Sequence, residues 1–138
     1  MGSPDEALAQ ANCDVIRDYF EAANRREFDT VMAIYADDVV MVIPADWLVG
    51  GTFEGKEAVG RWFGDWYRTF DGGPHFEPLR IEGVGDAVVL SAQARSRGGM
   101  SGVELESTYH YVFRLREGKI AHLQFYGDWA QALAAAAT

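Results

Sequence analysis

Between Asp5 and Ala23 the apolar residues Leu8, Val15, Ile16, Tyr19, Phe20 and Ala23 recur at helical spacing, which gathers them on one stripe and predicts a first helix. Asn24-Arg25-Arg26-Glu27 interrupts that stripe, and Phe28, Val31, Met32 and Tyr35 then repeat the spacing over a shorter length, predicting a second, short helix. Val39-Val40-Met41-Val42-Ile43 is rich in β-branched residues and is bounded by Pro44, so it reads as a buried strand. A loop follows from Ala45 to Gly51, through Asp46, Trp47, Leu48, Val49 and Gly50. Beyond Gly55, the residues Val59, Trp62, Phe63, Trp66, Tyr67 and Phe70 form the heavily aromatic face of a third helix, a face that must be covered.

Asp71-Gly72-Gly73-Pro74 ends that helix, and from His75 onward strands alternate with glycine-rich turns. Val88, Leu90, Ala92 and Ala94 alternate with Val89, Ser91, Gln93 and Arg95, the period of two that marks a sheet with one covered face. Gly98-Gly99 to Gly102 predicts a hairpin connection. A strand over Glu104 to Leu115 then turns tightly at Arg116-Glu117-Gly118 into another over Lys119 to Gly127. The alanine-rich tail from Ala134 to Thr138 either extends a helix or frays. Helices first and antiparallel strands afterwards predict an α+β fold, and no repeat or linker divides residues 1–138 into more than one domain.

Composition narrows the function more than the fold. A chain of 138 residues can build one real core. Acidic residues outnumber basic ones by 21 to 12, for a net charge of -9, and no run of Lys and Arg offers the positive stripe that nucleic acid or an anionic membrane surface requires. Cys13 is the single cysteine, which leaves no intrachain disulfide and suits a reducing, cytoplasmic setting. Met1-Gly2-Ser3-Pro4-Asp5-Glu6 lacks a basic segment followed by an apolar run. His75, His110 and His122 are scattered without ligand spacing, so no metal is expected. Gly83-Val84-Gly85-Asp86 is followed by a strand and not a helix, so no dinucleotide and no other cofactor is expected.

Tyr35-Ala36-Asp37-Asp38-Val39, Gly55-Lys56-Glu57-Ala58-Val59 and Phe113-Arg114-Leu115-Arg116-Glu117-Gly118-Lys119-Ile120 give the chain its resemblance to the nuclear transport factor two-like superfamily. Within it the chain resembles the SnoaL-like polyketide cyclases and the ketosteroid isomerases. The resemblance implies a cone: a curved antiparallel sheet wrapped around three N-terminal helices, closing over one mostly apolar pocket, often as a homodimer through the sheet. It puts Tyr19 where ketosteroid isomerases have a tyrosine that donates to the developing oxyanion, and Tyr35 where some members have a supporting tyrosine. Counted back from Gly118, it puts His110 at the position of the second oxyanion donor, or Tyr111 if the turn differs in length by one residue. Ile43 stands where those isomerases carry the carboxylate that moves the proton.

Each candidate has a structural reading beside the chemical one. Tyr19 and Tyr35 lie on apolar stripes and serve equally as core. Strand alternation groups His110 with Glu106, Thr108, Val112 and Arg114 on one face, and Tyr109, Tyr111, Phe113 and Leu115 on the other. The resemblance turns His110 inward, whereas the bare period turns the aromatic set inward. We favour His110 inward, with the aromatic face buried in a dimer. Asp128 is either a base or the N-cap of a terminal helix, and Asp46 is either a loop carboxylate that swings over the pocket or a solvated one. Trp47, Trp62, Phe63, Trp66 and Phe125 are expected to wall a hydrophobic ligand. The expectation is therefore a cofactor-independent cyclase, isomerase or dehydratase acting by acid/base chemistry on a hydrophobic carbonyl compound. The alternative is a binding or dimerisation module of the same fold that performs no chemistry.

Overall fold

A computed structural model describes residues 3–47, 50–69, 71–98 and 103–138. The expected hairpin connection from Gly99 to Gly102, Leu48 and Val49 of the predicted loop, and Phe70 of the predicted aromatic face lie outside the described residues.

Helix α1 runs over Pro4–Asn24. It starts where it does because the Ser3 hydroxyl accepts from the Glu6 N–H at 3.2 Å, Pro4 occupies the first turn, and Asp5 and Glu6 face the positive end of the helix dipole. At its other end Arg26 adopts φ 62°, the left-handed conformation that closes a helix C-terminus, with its N–H on the Ala23 carbonyl and the Glu27 N–H on the Ala22 carbonyl. Asn24 fastens this end to the sheet: its amide donates to the Phe76 carbonyl and accepts from the Phe76 N–H, both at 2.8 Å.

Helix α2, Phe28–Ile34, has seven residues, no side-chain cap and no fully buried residue. Tyr35, expected at its end, instead opens strand β1, Tyr35–Ile43, with extended φ -75° and ψ 139°. Tertiary pairing overrides the helical spacing here, since Tyr35 comes into register with Ile120 and is 1% exposed. Strand β2, Gly51–Glu54, was not expected. It is a four-residue edge strand on β1 whose one large apolar side chain, Phe53, gives it little periodic signal. Helix α3 spans Lys56–Thr69. Strand β3, Asp71–Val84, begins earlier than His75, with a register shift that accommodates Pro74.

Strands β4 (Ala87–Gly98), β5 (Val103–Arg116) and β6 (Lys119–Tyr126) complete an antiparallel meander with β3. The β5–β6 turn holds Glu117 at φ 53° and Gly118 at φ 76°, the pair of positive values that suits a two-residue hairpin. Helix α4 covers Trp129–Ala136. The six strands lie in the order β2-β1-β6-β5-β4-β3, antiparallel throughout except for β1 beside β6. The fold is thus α+β with a mixed sheet.

The sheet separates two cores. On its inner face Leu90, Tyr111, Phe113, Leu123 and Phe125 meet Ile16, Tyr19 and Phe20 of α1 and Val59 of α3. On its outer face Ala87, Val89 and Val112 are covered by Ala132 and Ala136 of α4. Phe113 is fully buried, so Phe113→Ala would cost about 3–5 kcal/mol, enough to threaten the fold.

Candidate functional site

A cavity of about 380 Å³ lies between α1, α2, α3 and the inner face of the sheet, within the roughly 300–1,000 Å³ typical of small-molecule sites. Phe20 and Ala23 of α1, Phe28, Val31 and Met32 of α2, Phe63 of α3 and Phe76 of β3 make its apolar wall. Room exists because α3 presents Gly60 and Gly64, one helical turn apart, to this space. A Cβ at residue 60 would stand 2.8 Å from the Met32 methyl, and one at residue 64 would stand 3.3 Å from an Arg68 guanidinium nitrogen. Two interior helix glycines weaken α3 by about 1 kcal/mol each relative to alanine, and the vacated volume is what remains.

Among the described residues, four phenols and one guanidinium supply the side-chain polarity of that wall: Tyr19, Tyr35, Tyr67, Tyr111 and Arg68. Among the described residues no carboxylate or imidazole lines it. Tyr19 sits on the inner stripe of α1 and Tyr35 at the start of β1, and their hydroxyls are hydrogen-bonded to each other inside the core. The Tyr19 ring is clamped edge-on by Phe20, Tyr35 and Phe113, with centroids 5.1, 5.6 and 5.7 Å away. Burial drives the Tyr19 phenol well above its ordinary pKa, partly opposed by its hydrogen bond to Tyr35. Burial and then the neighbouring Tyr19 raise Tyr35 likewise. Tyr111, 3% exposed, is raised chiefly by burial. At neutral pH all three are therefore proton donors. One hydroxyl of the pair donates to the other, so the pair retains one O–H for a ligand.

The residues expected to act together do not all meet. Tyr19, Tyr35 and Phe63 line the cavity. His110 does not. Its expected inward placement is corrected: strand alternation wins, Tyr109, Tyr111, Phe113 and Leu115 face the inner core, and His110 lies on the outer face with Val112, its Nδ1 2.6 Å from the Ser91 hydroxyl. Tyr111, the neighbour one position along, is the residue that reaches the cavity. Asp128 is the N-cap of α4, accepting from the Gln131 N–H at 2.8 Å, and lies away from the cavity. Asp46 is exposed in the turn after β1, where the Trp47 N–H donates to the Pro44 carbonyl at 3.0 Å. Trp47, Trp62, Trp66 and Phe125 do not wall this cavity but pack on one another and on Tyr109, with Trp47–Phe125 at 5.9 Å, Trp62–Phe125 at 6.1 Å and Trp66–Tyr109 at 5.6 Å. Ile43 is buried in the core. Among the described residues no three His, Cys, Asp or Glu side chains gather as metal ligands, and no helix is long and apolar enough to cross a membrane.

Residues 16–123 match the model of the SnoaL-like domain. The chain belongs to the SnoaL-like family. No curated protein sequence matches it significantly. Among solved structures this SnoaL-like chain is similar to Bal32a from a soil-derived mobile gene cassette, at 19% identity over 86% of this chain and 90% of that one, with a TM-score of 0.77. It is also similar to TerC co-crystallised with polyporic acid, at 18% identity over 93% and 99% of the two chains and a TM-score of 0.73. A third similar structure is a Sinorhizobium meliloti protein provisionally titled a polyketide cyclase, at 24% identity over 82% and 94% and a TM-score of 0.67. At such identities these likenesses establish the SnoaL-like fold and leave the reaction to the site.

Several lining residues of this SnoaL-like domain escaped sequence reasoning as site residues. Tyr67 and Arg68 were hidden in the aromatic run of α3, and Gly60 and Gly64 in its helical pattern. The legible signal was the glycine pair: two glycines at i and i+4 within a helix, flanked by aromatic residues, mark a place where side chains are withheld from a facing surface.

Proposed function

We propose that this SnoaL-like domain holds a compact hydrophobic carbonyl compound in the α1–α2–α3 cavity and promotes proton-transfer chemistry on it, as an isomerase, cyclase or dehydratase. The observation that carries this reading is the Tyr19–Tyr35 hydroxyl pair in an otherwise apolar cavity. A ligand oxygen accepts the free O–H of the pair, with the Tyr111 hydroxyl as a second donor. As an α-proton leaves, negative charge grows on that oxygen, and both hydrogen bonds strengthen within their apolar surround. A preorganised donor of this kind contributes about 3 kcal/mol to the barrier reduction. The phenols remain protonated because burial raises their pKa, so they stabilise the oxyanion and do not abstract the proton. With no carboxylate among the described residues of the wall, the base is a water molecule or a group on the substrate. The similar structure co-crystallised with polyporic acid is a precedent for a small organic molecule on this scaffold.

A second reading, ligand binding without chemistry, is favoured by that missing carboxylate. Deuterium uptake at the α-carbon of β-tetralone, followed by NMR, separates the two. The enzymatic reading requires uptake faster than in buffer, with the gain lost in Tyr19→Phe. Binding without accelerated uptake leaves the second reading.

A further inference from the structure

Among the described residues that line the cavity, Arg68 is the one charged residue, in a chain whose net charge is -9. It sits in the last turn of α3, largely exposed, and its guanidinium lies beside the bare Cα of Gly64, where a side chain would press against it. The aliphatic stem thus borders the cavity while the charge stands at its solvent edge. Its carboxylate partner is Asp65, three residues back on the same exposed surface. Exposed pairs of this kind are weak and exchange readily for a better-placed anion.

A second guanidinium stands close by. Arg26 projects from the end of α1, where the backbone takes a left-handed φ of 62° that a side chain other than glycine adopts reluctantly. Its charge lies 5.1 Å from the ring centroid of Tyr67, itself a lining residue, and it donates to the carbonyls of Ala23 and Pro74 at 3.1 and 2.8 Å. Among the described residues it has no carboxylate partner. Arg26 thus stands over one lining residue, Tyr67, and Arg68 beside another, Gly64, and among the described lining residues there is no acid to oppose them. An interior offering only phenol O–H donors and a rim offering positive charge are complementary to one kind of molecule: an apolar body with a neutral oxygen at one end and a carboxylate at the other.

We propose that the ligand class is a hydrophobic monocarboxylate carrying a carbonyl or hydroxyl oxygen, its carboxylate paired with Arg68 at the cavity rim and its other oxygen at the Tyr19–Tyr35 pair. This rests on the reading of the cavity as a ligand site and adds the anionic group. Arg68 is then a specificity determinant, with Arg26 supplying long-range attraction that salt screens.

The test compares a hydroxynaphthoic acid whose hydroxyl and carboxylate sit at opposite ends of the bicycle with its neutral methyl ester. Both are titrated by fluorescence into the wild type, Arg68→Gln and Asp65→Asn at low ionic strength. The acid is expected to bind the wild type about fivefold to tenfold more tightly than the ester. Arg68→Gln should abolish that preference, and Asp65→Asn, which removes the competing carboxylate, should enlarge it. Equal affinity of acid and ester for the wild type, or an undiminished preference in Arg68→Gln, overturns the assignment while leaving the cavity as a site for neutral ligands. Failure of both compounds to bind overturns the ligand site and the assignment together.

Discussion

The hydroxyl of Tyr19, on the first helix, is hydrogen-bonded to the hydroxyl of Tyr35, on the first strand, with both rings almost wholly buried. Two phenols that share a hydrogen bond leave one O–H free toward the cavity and lower the cost of burying both, whereas either alone would lose that bond. Tyr19→Phe and Tyr35→Phe should each lower unfolding free energy by about 1–2 kcal/mol, and the double variant should lose less than their sum. Urea denaturation of the three variants measures this, and strict additivity would argue against a coupled pair.

Alkaline pH should weaken the protein through the same groups. The folded state holds Tyr19, Tyr35 and Tyr111 above the ordinary phenol value of 10.0 because they are buried. Their contribution is fully present below that value and declines as pH rises above it, since the unfolded chain ionises first. His122 acts at the other end of the scale. Burial and then Arg114 depress its pKa below 6.5, so its contribution is present above that value and is lost as pH falls through the folded-state pKa. Melting temperature against pH should therefore be flat through neutrality and fall on both sides. Tyr111→Phe should soften the alkaline limb, and His122→Gln the acid limb.

Much of this was legible in advance and some of it was not. The stripe of α1, the aromatic run of α3 and the alternation in β4 and β5 are local periodicities, and each predicted its element. Tyr35 was misassigned to α2 because its spacing from Val31 fits a helix, while its actual conformation is decided by pairing with β6, a neighbour 85 positions along the chain. The orientation of β5 shows the same tension in reverse. A count from Gly118 favoured His110 inside, yet simple alternation described the strand correctly, because α1 and α3 cover the aromatic set on the inner face while α4 covers Val112 on the outer one. The cavity itself was the least legible feature, since it consists of side chains that are absent at Gly60 and Gly64.

Filling that space should trade function for stability. Gly64→Ala removes a helix-weakening glycine worth about 1 kcal/mol, and the flexible end of Arg68 can move aside. Gly60→Ala pushes the equally flexible Met32 methyl toward the cavity. Both variants should melt no lower than wild type, and Gly60→Ala should bind β-tetralone at least several-fold more weakly by titration calorimetry. Unchanged affinity in Gly60→Ala would mean that the ligand does not use this wall.

Asp128 and His110 lie outside the cavity, and their substitution should separate stability from activity. Asp128→Ala removes the cap of α4 and should cost about 1 kcal/mol in thermal or urea unfolding, without changing deuterium uptake by a bound ketone. His110→Gln should likewise leave uptake intact. A large loss of uptake in either variant that still folds would point to chemistry on the outer face of the sheet.

The end of α1 is tied to β3 by one side chain. Asn24→Ala leaves both the N–H and the carbonyl of Phe76 without their partner, and should cost about 2–3 kcal/mol. Because Phe76 also lines the cavity, ligand affinity should fall along with stability in this variant.

The carbonyl of a bound ketone reports directly on whether the phenol pair holds its oxygen. In an NMR spectrum of β-tetralone labelled at the carbonyl carbon, binding to the wild type should move that resonance downfield of its position in water, and the Tyr19→Phe/Tyr35→Phe variant should bind the ketone without that displacement. A bound ketone whose carbonyl resonance is the same in both proteins would contradict the placement of its oxygen at the tyrosine pair.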